Sequence, residues 1–206
     1  MDAVPSLERA EAILAESAAF NPGPWEVHSR YVALGARLIA ARLAWLDPER
    51  AFIVGLLHDV GRRFGVTGMR HALDGYRYLY DQGYAGAARI CLTHSYPYKE
   101  EPHGACPWDG SEQEWQNVTD YLAGIEYDDY DLLIQLCDGL ALPNGFCLLE
   151  KRLLDVSLRY GCNEHTVNRW RAYIKIKTHF EQAIGSSIYR LLPEVVENTF
   201  EWNGQQ

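Results

Sequence analysis

The sequence predicts an all-α fold: a compact single-domain helical bundle with a C-terminal helical extension. Three observations carry that prediction. Apolar residues recur at three- and four-residue steps along most of the chain. Helix start and stop residues flank those stretches, among them Asp47-Pro48, the Ser111-x-x-Glu114 box and Gly83. No segment alternates apolar and polar residues as a half-buried strand does.

A chain of 206 residues is long enough to bury one substantial core. Hydrophobic residues make up 48% and charged residues 23%, the balance of a soluble globular protein. No apolar run approaches the roughly 20 residues of a membrane span. The acidic start MDAVPSLERAEA lacks the basic-then-apolar order of a secretory signal. A net charge of −9 argues against a nucleic-acid polymer as partner, which would need a basic face. It leaves room for a small anionic substrate in a local basic pocket. Cys91, Cys106, Cys137, Cys147 and Cys162 form no CxxC pair. An odd count without a framework fits reduced thiols and a cytoplasmic location, with the cysteines as core or surface residues.

The chain divides into an N-terminal helix (1–20), a helical core (21–145) and C-terminal helices packing on it (146–206). Ser6–Phe20 is Ala-rich, and Asn21-Pro-Gly-Pro24 breaks it. A long helix follows from Trp25 to Leu46, with Val27, Tyr31, Leu34, Leu38 and Ala41 at helical spacing and His28 near its start. Asp47 caps the next helix and Pro48 takes its first position. Further helices cover Met69–Gln82, with His71 in the first turn, and Tyr84–Thr93, delivering His94 at the end. Ser95–Gly110, with three prolines, two glycines and three aromatics, reads as an ordered excursion that covers a site. A capped helix runs from Ser111 to Gly124, and an apolar one carries Asp138. An acid among Leu132, Leu133, Ile134, Leu136 and Leu140 is costly to bury unless paired or metal-bound. Two amphipathic helices, Phe146–Tyr160 and Glu164–Ala183, a short Ile188–Leu192 turn and a polar tail complete the chain.

The most informative stretch is Ala51–Gly61, AFIVGLLHDVG. An apolar helix ends there in adjacent His58 and Asp59, with Gly61 letting the chain turn away. Core packing would hold that polar end still. Imidazole nitrogen beside carboxylate oxygen suits a transition metal better than calcium or magnesium. His28, His71, His94 and Asp138 each sit at or near a helix end or in a strongly apolar helix. With His58 and Asp59 they form the ordered series His…His-Asp…His…His…Asp.

That series, carried by VHSRYVALGARLIA, LLHDVGR and LCDGLAL, with RHALDGYRYL and CLTHSYP between, resembles the HD-domain metal-dependent phosphohydrolase superfamily. The resemblance covers about residues 20–145. It implies that His28, His58, Asp59 and Asp138 hold a first divalent transition-metal ion. It implies a second ion on His71 and His94, with Asp59 bridging. Four imidazoles favour iron, with manganese next. The implied reaction is hydrolysis of a nucleotide or other small phosphate ester by a metal-bridging hydroxide, which needs no separate general base. Two other readings share the ligand set: a diiron oxygenase acting on an organophosphonate or polyol, and a non-catalytic regulatory module.

A phosphate substrate also needs cations. Arg62, three residues beyond Asp59, is the expected catalytic partner. Arg63, Lys99 and His103 are the other candidate substrate contacts. Tyr96, Tyr98 and Trp108 either stack on a base or close a small core. His165 and His179 read as ordinary. The 44-residue step from His94 to Asp138 exceeds that of compact members and should reshape the pocket.

Overall fold

The computed structural model describes residues 3–100, 104 and 106–201. Among them ten α-helices run in order: α1 Leu7–Phe20, α2 Trp25–Ala40, α3 Pro48–Leu57, α4 Arg70–Asp81, α5 Ala85–Thr93, α6 Glu112–Gly124, α7 Asp129–Leu140, α8 Leu149–Tyr160, α9 Thr166–Ile184 and α10 Val195–Phe200. A 3₁₀ turn at Val60–Phe64 follows α3, and another lies at Ile188–Arg190. No described helix is long and apolar enough to cross a membrane.

Local chemistry explains the starts. Asp47 accepts from Glu49 N and Arg50 N, with Pro48 in the first position. Ser111 and Glu114 form both bonds of a capping box at α6. Asp128 and Asp131 form a second one at α7, a signal the acidic run Glu126–Asp131 hides.

Three elements depart from the sequence expectation. The second helix stops at Ala40 instead of reaching Leu46. Residues 41–46 tighten into i→i+3 bonds, Arg42 to Ile39, Leu43 to Ala40 and Leu46 to Leu43. Contacts to α7 favour that turn: Trp45 Nε1 donates to Asp129, and Tyr130 Oη accepts from Asp47 N. Leu43 and Leu46 are buried by it. Second, Ala141–Leu142 pairs antiparallel with Gly145–Phe146 as β1 and β2, two residues each, too short for period-2 patterning. Third, the polar tail carries α10, which packs on β2.

α2 and α3 pack closest, because Gly55 faces Ala33: a Cβ there would lie 2.7 Å from Ala33 Cα. α7 lies against α2, α3 and α5, while α8 and α9 pack on α7. Leu56, Leu57, Ile39, Leu133, Leu136 and Phe146 are fully buried in this core. Each such side chain contributes about 1.5–3 kcal/mol relative to exposure. A second cluster joins Met69, Leu73, Leu92, Tyr96, Val118 and Leu122, with Trp108 packed on it. Tyr96 and Trp108 of the excursion therefore close a small core.

Candidate metal centre

Rigid backbone brings the six predicted residues together. His28 comes from α2, His58 caps α3, and Asp59 begins the 60–64 turn. His71 lies in the first turn of α4, His94 caps α5, and Asp138 lies in the last turn of α7. Gly61 locks the turn onto α4. A Cβ at Gly61 would fall 1.9 Å from the His71 carbonyl and 2.5 Å from Gly75 N. Its φ is not positive, so close approach, rather than turn geometry, is what requires glycine here.

His28 Nε2 lies 2.9 Å from Asp138 Oδ1, and His58 Nε2 lies 3.9 Å from both Asp138 Oδ1 and Asp59 Oδ2. Asp59 Oδ1 is 3.1 Å from His71 Nε2 and 3.7 Å from His94 Nε2. Ligand atoms of His28, His58 and Asp138 lie within 4.8 Å of one another, as do those of His58, Asp59 and His94. The two groupings share His58, where the resemblance implies sharing through Asp59.

Proton bookkeeping at the rings favours a cation. His58, His71 and His94 turn Nδ1 to the carbonyls of Gly55, Gly68 and Cys91, at 2.8, 2.5 and 2.8 Å. A carbonyl only accepts, so each Nδ1 carries a proton, and a neutral ring in this orientation presents its Nε2 lone pair. The Nε2 atoms of His71 and His94 face each other across 3.3 Å. Ser95 Oγ, 2.8 Å from His94 Nε2, and Arg62 Nη2, 3.5 Å from His71 Nε2, relieve that arrangement in part. His58 Nε2 and Asp59 Oδ1 are buried, and neither has a hydrogen-bond partner among the described residues. Orphaned buried atoms of this kind call for an ion or other partner.

Electrostatics agrees. Burial pushes His58 down despite Asp59 and Asp138. Burial, then the neighbouring rings His58 and His71, push His94 down to about 3. Both rings are therefore neutral at physiological pH. Burial opposes ionisation of Asp59, yet Arg62, His58 and His71 hold it well below the usual carboxylate range. Burial also opposes ionisation of Asp138, but the bond to His28 together with the charges of His28, His58 and His94 holds it below the usual carboxylate range.

Arg62 Nε donates to Asp59 Oδ2 at 2.7 Å and stands at the centre. Arg63 lies elsewhere: its guanidinium stacks 4.0 Å over Tyr78 and 4.7 Å over Phe20, and it donates to Ser17, bracing α1. Lys99 donates to the Ile125 carbonyl and stands over Tyr127. Neither lines the cavity at the cluster. His103 lies outside the described residues. His165 and His179 face Glu164 and Asp129. The fully buried acid of α7 is Asp131, held by Arg89, Thr93 and the backbone of Asp128, while the Asp138 side chain keeps 22% exposure toward the cavity.

A cavity of about 440 Å³ opens from the cluster. Ser95 and Cys106 of the excursion line it, and so do Arg152, Arg159, Arg169, Trp170 and Tyr173 of α8 and α9. Sequence reasoning missed that second wall. Two spacings hinted at it: Arg152 and Arg159 lie two turns apart on one face of α8, and Arg169 lies one turn before Tyr173. All five cysteines are free thiols.

Fold and site together define a helical protein whose buried His/Asp groupings suggest divalent-metal binding. The HD domain family model matches residues 26–142, more than half of the chain, and the protein belongs to that family. Its members are mostly metal-dependent hydrolases. No curated protein and no solved structure matches the chain.

Proposed function

We propose that the protein is a metal-dependent phosphohydrolase acting on a small phosphate ester, with nucleotides among the candidates. His28, His58, Asp59 and Asp138 would hold one divalent transition-metal ion. His71 and His94, with Asp59, would hold a second, iron being the first choice and manganese the next. The orphaned pair His58 Nε2 and Asp59 Oδ1, buried beside the facing Nε2 atoms of His71 and His94, carries this reading. When bound, such ions supply an activated water and neutralise phosphoryl oxygens.

The chain's own groups do the rest. Carbonyls of Gly55, Gly68 and Cys91 fix the rings with Nε2 turned inward. Arg62 offers a guanidinium fork at the cluster, suited to a phosphate and to the charge that develops as it reacts. Ser95 Oγ holds a hydroxyl proton 2.8 Å from His94 Nε2, within reach of an oxygen entering the cavity. The cavity has the size of a small-molecule site.

Metal analysis of anaerobically purified protein, followed by a screen of phosphate compounds with and without O₂, tests the proposal. Two ions per chain and phosphate release without O₂ are expected. Turnover that requires O₂ would replace hydrolysis by oxygenation.

A further inference from the structure

We infer that the cavity takes a substrate with two anionic groups, the phosphate at the His/Asp cluster and a second anion held by Arg152 on α8. For the first group the inference rests on the phosphohydrolase reading; for the second it rests on the cavity wall alone. Four arginines line the cavity: Arg62, Arg152, Arg159 and Arg169. The carboxylates that line it, Asp59 and Asp138, both belong to the cluster. Away from the cluster the described wall is therefore cationic, in a chain whose net charge is −9. A local field of opposite sign to the whole molecule draws anions to this mouth.

The four arginines are not equivalent. Arg62 is engaged at Asp59. Arg169 is buried and donates to the Gly104 carbonyl at 3.2 Å, bracing the excursion against α9. Arg159 pairs with Asp155 at 2.9 Å and is 46% exposed. Arg152 is more enclosed, at 20%, and its contact to the same carboxylate is 3.4 Å, near the limit of a hydrogen bond. Asp155 thus satisfies Arg159 first and leaves the Arg152 fork for another anion. Tyr173 links this wall to the cluster. Its ring packs on Gly139, next to Asp138, and it lies within electrostatic reach of Arg152 and Arg169. α8 and α9 lie beyond residue 142, where the HD domain match ends, so the family match assigns nothing to this wall.

A guanidinium fork receives a phosphate or a carboxylate, and the test separates them. Alkane bisphosphonates of increasing length, the matching phosphonocarboxylates and the plain alkylphosphonates are titrated calorimetrically into the metal-loaded protein. One bisphosphonate or phosphonocarboxylate length should bind about tenfold or more tighter than its alkylphosphonate, the effect of one charge-assisted pair. Whichever series shows the larger gain identifies the second group. Arg152→Ala should remove the gain while alkylphosphonate affinity and metal content stay unchanged. Arg152→Lys should recover part of it. Arg171→Ala, on an exposed α9 arginine outside the cavity, should keep it whole. No gain at any length, or a gain that survives Arg152→Ala, overturns the inference. Hydrolysis of a simple phosphomonoester is assayed in parallel. Its failure alongside an Arg152-dependent gain overturns the phosphohydrolase reading and leaves the second anion site standing.

Discussion

Arg62→Ala should destabilise the metal-free protein far more than the metal-loaded one. Arg62 Nε donates to Asp59 Oδ2 at 2.7 Å, with the Asp59 side chain 5% exposed and that of Arg62 31% exposed. Removing one partner of a buried pair strands the other charge and costs about 3–5 kcal/mol. Because Arg62 keeps solvent contact, the lower end applies, about 3 kcal/mol. At about 2–4 °C per kcal/mol for a chain of this size, Tm should fall by about 6–12 °C in chelator. A divalent ion placed on Asp59 supplies the lost positive charge, so in saturating Mn²⁺ the loss should shrink to about 1 kcal/mol or less. Scanning calorimetry of wild type and variant, with chelator and with Mn²⁺, reads both numbers. Arg62→Lys should fall between, since it keeps charge but loses the fork. Turnover on a true substrate should drop by about 10²–10³ in Arg62→Ala, as for loss of one preorganised donor. Equal destabilisation in both conditions would refute the argument, because Asp59 would then not exchange Arg62 for an ion.

Gly61→Ala has no room to be accommodated, with the His71 carbonyl 1.9 Å from the added carbon. It should lose about 1–3 kcal/mol or more in chemical denaturation and weaken metal retention; Gly124→Ala, where a Cβ meets nothing, is the control. His71→Ala should lower metal content from two ions to one per chain by elemental analysis, and a count still at two would remove His71 from the ligand set. Glu114 is held at about 2, first by the Ser111 backbone N–H and then by Arg77. Its folded value lies below the ordinary 4.5, so its contribution is complete above that value and disappears as pH falls through about 2. The Tm gap between wild type and Glu114→Gln should therefore narrow from pH 5 to pH 2, and a constant gap would exclude that role.

The sequence by itself determined the helical class and the six-residue series. Both are local signals: three- and four-residue periodicity, caps such as Asp47-Pro48 and Ser111/Glu114, and histidines next to helix ends. His58 and Asp59 were legible because polar ligands directly after an apolar run must face something specific. Only the tertiary structure decided what each cation does. Arg62 and Arg63 are neighbours in sequence, yet the 3₁₀ turn sends one to Asp59 and the other onto Tyr78 and Phe20. Lys99 follows His94 closely but is drawn to Ile125 and Tyr127, where the excursion packs on the second cluster formed with α4, α5 and α6. Arg152, Arg169 and Tyr173 carry no motif and lie more than a hundred residues from His28. They reach the cavity only because α8 and α9 fold back on α7. Such placement comes from long-range packing, which no spacing within one segment encodes.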